Sequence, residues 1–144
     1  MKQETLRVNI KLSKDAQMPT YSTEGAAGAD LYAATSVTIP AGQRCLIPTG
    51  VSIEIPEGHF CYVMGRSGNT IKKGLHVALG LVDEDYRGEI GVMAFNQSGD
   101  AISFAKGDRV AQMVILPYPK VEFNEVEELS ETDRGAGGYG STGK

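Results

Sequence analysis

Short segments in which apolar and polar residues alternate constrain the fold of this chain more than any other feature. Every second residue is apolar from 6 to 12 and again from 51 to 55. A period of two places alternate side chains on one face of a sheet, so both segments predict β-strands with one solvent-facing side. Three longer apolar runs, at 60–64, 90–95 and 110–116, predict more deeply buried strands.

Turn-forming residues separate these segments. Combinations of Pro, Gly, Ser, Asp and Lys that favour tight turns occur at 40–42, 56–58, 98–100 and 106–108. Short strands joined by such turns predict an all-β fold, a jelly-roll-like antiparallel barrel or sandwich. One short helix is expected, over residues 67–73, ending at Gly74 in a left-handed conformation.

Cysteine and histidine are too scarce and too dispersed for most zinc chemistry. A tetrahedral zinc site needs three or four clustered ligands, and C-x-x-C pairs are missing from this sequence. The four candidate ligands are Cys45, Cys61, His59 and His76. We expect both cysteines to be buried thiols in a reducing compartment.

Length, charge and hydropathy narrow the class of protein further. A chain of 144 residues fits one domain. Its 14 Lys and Arg against 18 Asp and Glu give a net charge of −4, which argues against a duplex-binding protein with a basic face. No segment approaches the ~18 consecutive apolar residues of a membrane helix. We therefore expect a cytoplasmic protein with no nucleic-acid or membrane partner.

The last residues differ in character from the rest. An acidic stretch begins near Asn124, and the segment 134–144 is rich in glycine and cannot contribute to a core. We therefore expect a β domain over 1–133 and a flexible arm over 134–144. The arm still carries a cation, an aromatic ring and two hydroxyls, a set suited to a nucleoside polyphosphate. These are Arg134, Tyr139, Ser141 and Thr142.

Two polar segments beside predicted strands could carry chemistry. Gly65-Arg66-Ser67-Gly68 places a cation and a hydroxyl at a strand-to-helix turn, where free backbone N–H groups favour an anion. An ordinary turn with a capping serine explains this segment as well. The three carboxylates at 83–85 could bind a hard cation, although a solvated hairpin tip is an equally simple reading.

Three further polar residues are candidates for a structural or functional role. Asp30 is surrounded by small and apolar residues, which predicts a buried carboxylate with a cationic partner. Arg109 and Gln112 are three residues apart on a predicted strand, so we expect them on opposite faces.

Five segments, in this order, closely resemble the trimeric deoxyuridine triphosphate nucleotidohydrolases (dUTPases). They are Ala27-Gly-Ala-Asp-Leu, Arg66-Ser-Gly, Gly80-Leu-Val-Asp-Glu-Asp-Tyr-Arg-Gly88, Gly107-Asp-Arg-Val-Ala-Gln112 and Arg134-Gly-Ala-Gly-Gly-Tyr-Gly-Ser-Thr-Gly143. The resemblance implies a jelly-roll-like β fold and Mg²⁺-dependent hydrolysis of dUTP to dUMP and pyrophosphate, which keeps uracil out of DNA and supplies dUMP for dTMP synthesis. It also implies a homotrimer whose active sites are shared between subunits.

The resemblance assigns roles to the acidic turn and the hairpin before it. It implies that Asp83 is the general base for the attacking water. Tyr86 would pack under the deoxyribose and leave no space for a 2′-hydroxyl. The hairpin containing Val77, Gly80 and Leu81 would read uracil through its backbone groups, although Val77 stands where some members have an Asn that touches the base.

The resemblance also implies how the phosphates and the metal are held. Arg66, Ser67 and Gly68 would bind the phosphates, with Gln112 approaching them. Mg²⁺ would be bound by the triphosphate and water without a direct protein ligand, and Asp30 is a candidate for its outer shell. The arm that closes over the nucleotide would contribute Arg134, Tyr139, Gly140, Ser141 and Thr142.

The residues leave two other functions open. A dCTP deaminase-related enzyme would share the fold, but a Glu base and polar groups for C4 form no clear pattern here. A nucleotide-sensing or protein-binding module could keep the pocket without turnover. Hydrolysis assays with dUTP, dCTP, UTP and dTTP separate these possibilities.

Overall fold

The computed structural model describes residues 4–78 and 80–140, which form eleven strands and one short helix. The first six strands are β1 (Asn9–Leu12), β2 (Ala29–Tyr32), β3 (Val37–Ile39), β4 (Arg44–Pro48), β5 (Val51–Glu54) and β6 (His59–Met64). Helix α1 (Ser67–Lys73) follows, and then β7 (Leu75–Ala78), β8 (Leu81–Val82), β9 (Gly91–Asn96), β10 (Ile102–Phe104) and β11 (Arg109–Pro117). This confirms the predicted all-β fold.

The strands pair in four small antiparallel sheets. The orders are β1-β5, β10-β3, β2-β11-β6-β8 and β4-β9-β7. The inward faces meet in one apolar core, in which Leu31, Ile47, Val92 and Val110 are fully buried. The two larger sheets position the polar residues discussed below, because β2, β11 and β6 carry one group and β7 and β8 lead into the other.

The first predicted strand is shorter than its alternating pattern. The pattern begins at Leu6, but β1 begins at Asn9, which pairs with Glu54, and Leu6 is exposed. Continuing the ladder would place Arg7 opposite Pro56, and proline has no N–H to donate. The alternating pattern therefore predicts a longer strand than β1, because the partner strand β5 ends at Glu54.

The three long apolar runs are strands as predicted, but they are not buried on both faces. Burial alternates along β6 and β9, and Tyr62 and Leu116 remain 43% and 40% exposed in the single chain. Leu46 and Leu81 are exposed as well. An antiparallel sheet that packs on the core with one face leaves the side chains of its other face uncovered.

The helix agrees with the sequence prediction over Ser67–Lys73. Its C-cap is Gly74 with φ 73°, the left-handed conformation expected there. The N-cap residue is Arg66, and its side chain makes no capping hydrogen bond. The alternative reading, in which a serine caps the helix, is therefore wrong. Within the part of the chain that the structure describes, no helix is both long enough and apolar enough to cross a bilayer.

The cysteines are free thiols in different surroundings. Cys61 is buried in β6, and desolvation raises its pKa to about 12. Cys45 is only half-buried. The prediction of burial is confirmed for Cys61 and holds only in part for Cys45.

A buried amide holds the end of β9 against its neighbours. Asn96 is 1% exposed, and its Nδ2 donates to the carbonyls of Ile39 and Asp100, each at 2.8 Å. Its Oδ1 accepts from the backbone N–H and the hydroxyl of Ser98. One side chain thereby ties β3, β9 and the turn at 98–100 together.

Replacing Asn96 with Ala should lower the free energy of unfolding by about 2–4 kcal/mol, because it leaves several buried polar groups without partners. Asn9→Ala is the matched control, since Asn9 is exposed and makes one bond to Glu54. We expect it to change the free energy by less than about 0.5 kcal/mol. Urea titrations at one fixed protein concentration measure both values, and equal midpoints for the two variants would contradict this role of Asn96.

Candidate active site

The turn from β6 into α1 opens on a groove of about 480 Å³ with a mixed polar and apolar lining. We call it the Arg66 groove. Its polar and small lining residues include Gly28, Asp30, Arg66, Ser67, Gly68 and Gln112. Three separate parts of the chain, β2, the start of α1 and β11, therefore contribute to one surface, as antiparallel pairing of β2 and β6 with β11 requires.

The carboxylate of Asp30 organises the groove. Asp30 is 5% exposed and lies within 3.0 Å of Arg66 Nε through Oδ1 and within 3.7 Å of Arg109 Nε through Oδ2. A buried charge needs such compensation, so the predicted buried carboxylate with a cationic partner is confirmed. The second guanidinium was not anticipated from the sequence.

Arg109 reaches Asp30 because β11 is irregular at its start. The register to β2 shifts between Arg109 and Ala111, whereas Gln112 pairs directly with Asp30. Directly opposed residues of an antiparallel pair project to the same face, so Gln112 and the Arg109 guanidinium both lie on the Asp30 side. The expectation of opposite faces is therefore wrong, because a bulge interrupts the alternation on which it depended.

Gln112 is fixed within the groove. Its Nε2 donates to the carbonyl of Gly65 at 3.0 Å, which leaves its Oε1 toward Gly28. A Cβ at Gly28 would lie 2.5 Å from that oxygen, so any other residue there would displace the Gln112 amide from this position. The Gln112 amide is therefore held in place next to the backbone of Gly28.

The start of α1 supplies donors to the same groove. The first intrahelical bond runs from Thr70 N to Arg66 O, so the N–H groups of Ser67, Gly68 and Asn69 lie ahead of the helical ladder. Ser67 and Gly68 are exposed. Guanidinium, hydroxyl and backbone N–H groups on one concave surface form an anion-binding arrangement.

A second polar region lies beyond β8, in a tight turn over residues 83–86 that we call the Asp83 turn. The N–H of Tyr86 donates to the carbonyl of Asp83 at 3.1 Å and closes the turn. The hydroxyl of Tyr86 donates to the carbonyl of Glu89 at 2.9 Å, which holds the ring in place while 46% of Tyr86 remains exposed. The Asp83 carboxylate is exposed beside a fixed aromatic ring.

The hairpin before this turn packs tightly against β6. A Cβ at Gly80 would lie 2.0 Å from the carbonyl oxygen of Val63, and Val63 N donates to Gly80 O at 2.6 Å. In the described part of the chain β7 lies at the edge of its sheet, so one side of its backbone near Val77 has no strand partner there. Leu79 lies outside the described residues, while Leu81 is 65% exposed.

The two polar regions lie far apart on one chain. Val82 pairs with Cys61, which places Asp83 opposite Phe60 near the beginning of β6. Arg66 follows the other end of that strand, six residues later, and at ~3.3 Å per residue the separation is about 20 Å. The structure therefore gathers Asp30, Arg66, Ser67, Gly68 and Gln112, but it does not bring Asp83 and Tyr86 to them.

The arm residues form a third group, separate from both. The segment 119–140 is almost entirely exposed, and its hydrogen bonds among described residues are internal, such as Arg134 Nε to Gly137 O at 2.8 Å. Tyr139 is fully exposed with φ 51°, and Gly140 is exposed. Ser141 and Thr142 lie outside the described residues.

Sequence reasoning missed two contacts near these groups. The amide of Asn69, 7% exposed, donates to the carbonyl of Arg109 at 3.3 Å and joins α1 to β11. Glu84 accepts a hydrogen bond from the hydroxyl of Tyr118, 34 residues away. No local sequence pattern predicts either contact, because each depends on how elements that are distant in sequence are placed next to each other.

The donor set does not suit a metal bound directly by protein. Both oxygens of Asp30 face guanidinium groups, so its negative charge is already compensated. Over residues 4–78 and 80–140, no three His, Cys, Asp or Glu side chains are grouped as metal ligands would be. The Arg66 groove instead offers donors to an anion, and an anion can carry its own metal.

Known proteins resemble the chain over nearly its whole length. The dUTPase family model matches residues 14–143. A deoxyuridine 5′-triphosphate nucleotidohydrolase of Anaeromyxobacter sp. (strain Fw109-5) is 47% identical over 130 residues, covering 89% of this chain and 88% of that protein.

Solved structures agree in fold. A variant of the Staphylococcus bacteriophage 80alpha dUTPase with dUpNHpp superposes with a TM-score of 0.91 at 29% identity, covering 97% of this chain and 100% of that one. A variant of the phage phi11 dUTPase of S. aureus, described as coordinating a structural Mg(II) ion, has a TM-score of 0.80 at 27% identity, covering 85% and 98%. The family match, the identity over most of the chain and the shared fold agree, and the chain belongs to the dUTPase family.

Proposed function

We propose that this protein hydrolyses dUTP to dUMP and pyrophosphate, at sites that combine groups from different subunits of a homotrimer. The observation that carries the proposal is the separation of about 20 Å between the Arg66 groove and the Asp83 turn. The Arg66 groove has donors for phosphate but no candidate base, and the Asp83 turn has a candidate base but no donors for phosphate. The two regions therefore complement each other. A second chain that presents its Asp83 turn to this groove would complete one site.

The Arg66 groove is suited to the triphosphate. Arg66 would pair with phosphate oxygens, while Ser67 and Gly68 would donate from the hydroxyl and the backbone. Asp30 holds Arg66 from behind at 3.0 Å, so the guanidinium is oriented before the nucleotide binds. Gln112, fixed to the carbonyl of Gly65, would approach the phosphates from β11. Electrostatic preorganisation of this kind stabilises charge that develops during phosphoryl transfer.

Asp83 would act as the general base. An aspartate carboxylate is ordinarily ionised at neutral pH and can accept a proton from a water positioned to attack the α-phosphorus. Exposure of the side chain in the single chain leaves it free to face a neighbouring subunit. The proton passes to the carboxylate as the new phosphorus–oxygen bond forms, and pyrophosphate leaves from the opposite side.

The hairpin and the Tyr86 ring would select the nucleoside. The free edge of β7 near Val77 offers backbone donors and acceptors that can distinguish uracil from cytosine, because cytosine reverses them at N3 and position 4. The carbonyl of Gly80 is already bonded to Val63, so Gly80 would serve through close packing and Leu81 through the shape of the hairpin. Tyr86, anchored through its hydroxyl, would pack under the deoxyribose.

Mg²⁺ fits this site as part of the nucleotide complex. The chemistry it supplies when bound is neutralisation of phosphate charge. Triphosphate oxygens and water would hold it, and the compensated Asp30 carboxylate would contribute at most through its outer shell. The phage phi11 relative described with a structural Mg(II) ion supports a role for this metal in the family.

The C-terminal segment would complete the site from another chain. Phe123 and Leu129 are 93% and 86% exposed, which is unusual for large apolar side chains unless a partner covers them. About ten extended residues reach ~33 Å, enough to cross a subunit of this size. We infer that the β domain of 1–133 remains the body, while 134–144 close over a neighbour's nucleotide with Arg134, Tyr139, Gly140, Ser141 and Thr142. A cytoplasmic location stays a prediction.

Asp83→Asn should leave the fold and dUTP binding intact and lower kcat by at least about 10²-fold, because the nearly isosteric amide cannot accept the proton. Asp85→Asn is the matched control from the same exposed turn and should retain kcat within about twofold. Pyrophosphate release at saturating Mg²⁺ measures both. Equal losses in the two variants would remove the base assignment from Asp83.

Tyr86→Ala should weaken dUTP binding and narrow the preference for dUTP over UTP, because the ring no longer excludes a 2′-hydroxyl. Tyr21→Phe is a control in which the altered hydroxyl belongs to an exposed tyrosine outside both regions. The ratio of kcat/KM for dUTP to that for UTP measures the effect. An unchanged ratio in Tyr86→Ala would place sugar selection elsewhere.

Mixed trimers test whether sites are shared. Asp83→Asn chains and chains truncated after Asp133 should each be nearly inactive alone. Co-refolded in equal amounts, they should regain activity in about a quarter of sites, those with Asp83 from a truncated chain and the arm from an Asp83→Asn chain. Native mass spectrometry confirms that the trimers are mixed, and in such trimers an absence of recovery would contradict the shared site.

A further inference from the structure

One hydrogen bond connects the Asp83 turn to the strand that leads into the C-terminal segment. The hydroxyl of Tyr118 donates to Oε1 of Glu84, the neighbour of Asp83. Tyr118 is the residue directly after β11, and Glu84 is the second residue of the turn after β8. Both side chains are half-buried, and they line a common cavity of about 330 Å³ together with Phe60, Leu81 and Asp83.

Tyr118 is itself firmly placed. Its backbone N–H donates to the carbonyl of Gly58 at 2.9 Å, which joins it to the turn before β6. Its ring meets that of Phe60 edge to face, with the centroids 6.0 Å apart. The ammonium of Lys120 lies 5.9 Å from the centroid of the Tyr118 ring. The hydroxyl that reaches Glu84 therefore comes from a side chain that cannot easily turn away.

The Asp83 turn has few other attachments. The bonds from Tyr86 N to Asp83 O and from Arg87 Nη1 to Glu84 O stay within the loop. The bond from Tyr118 to Glu84 joins 83–85 to the end of β11. Arg87, which donates to the carbonyl of Glu84, also pairs with Glu54 of β5 at 3.7 Å. The carboxylate of Asp83 makes no hydrogen bond within the described chain, so its position follows the backbone of the turn.

We propose that Tyr118 and Glu84 are positioning residues that hold the Asp83 carboxylate where it must meet the attacking water. The inference rests on the proposed function, in which Asp83 is the base. A base that shifts by 1 Å loses up to about 10²-fold in rate, so the rate is sensitive to each contact that anchors the turn.

The ionisation of the pair agrees with this geometry. The hydrogen bond from Tyr118 is the largest cause that lowers the pKa of Glu84, and the same bond raises the pKa of Tyr118 to about 12. At neutral pH the tyrosine therefore stays protonated, and its hydroxyl donates a hydrogen bond to a carboxylate anion. A neutral donor on an ionised acceptor forms a stronger bond than two neutral groups do.

Four variants separate positioning from a merely structural role. Tyr118→Phe removes only the donating hydroxyl, and Glu84→Ala removes the acceptor. The double variant combines these two changes, and Glu84→Gln keeps an acceptor oxygen at the same place. Tyr21→Phe is the control for loss of a tyrosine hydroxyl. Single-turnover hydrolysis of dUTP gives the rate of the chemical step, and steady-state assays give KM.

We expect Tyr118→Phe and Glu84→Ala each to slow the chemical step about tenfold with KM changed less than twofold. The double variant should be no slower than either single variant, because both remove one bond. Glu84→Gln and Tyr21→Phe should stay within about twofold of the parent. Circular dichroism and light scattering confirm folded oligomers of unchanged size.

Three results would overturn the proposal. They are a parent-like rate for Tyr118→Phe, losses that multiply in the double variant, and a Glu84→Gln variant as slow as Glu84→Ala. Should Glu84→Ala fail to fold, the near-isosteric Tyr118→Phe and Glu84→Gln variants still decide between the outcomes. The Asp83→Asn variant distinguishes failure of the proposed function from failure of this inference. If Asp83→Asn is inactive while Tyr118→Phe is normal, the base assignment stands and only the positioning role fails.

Discussion

The ion pair at Asp30 is the interaction on which the rest of the site depends. Its carboxylate is almost fully buried in β2, and a buried charge is tolerated only when opposite charges and hydrogen bonds replace water. Arg66 and Arg109 meet that requirement from the start of α1 and from β11. One electrostatic constraint thus joins three elements that are remote in sequence. It also fixes the orientation of a guanidinium that the groove presents to solvent.

A second constraint is that the chain alone leaves apolar surface uncovered. Tyr62, Leu46, Leu81 and Leu116 project from sheets whose other faces are packed in the core. Beyond Tyr118 the chain is almost entirely exposed, with large apolar side chains at intervals. A single domain of this size can bury these residues only against another copy or a partner. The polar residues are divided as well, because the Arg66 groove and the Asp83 turn lie at different ends of β6.

Local patterns in the sequence predict some elements and miss others, such as β2, β4 and β10, and they carry little information about how the elements are placed. Alternation and turn residues predicted the strands at 51–55 and 60–64, and the helix over 67–73 with Gly74 at its end was confirmed. The burial of Asp30 with a cation was also predictable, since a carboxylate among small apolar residues has few alternatives. The register shift near Arg109 and the bond between Tyr118 and Glu84 were not predictable, because each depends on which strands pair and in what register. Alternation within one strand carries no information about its partner.

Division of the reacting groups between chains has a chemical advantage in the proposed assembly. An aspartate placed next to free guanidinium groups on its own chain would form an ion pair, and a carboxylate so engaged is a poorer proton acceptor. Asp83 lies about 20 Å from Arg66 along β6, among other carboxylates of its own turn. Arg66 is already oriented by its ion pair with Asp30, so it is less available to form an ion pair with a second carboxylate. A nucleotide bound between the two chains would then separate base from cation, so that Asp83 faces water and Arg66 faces phosphate.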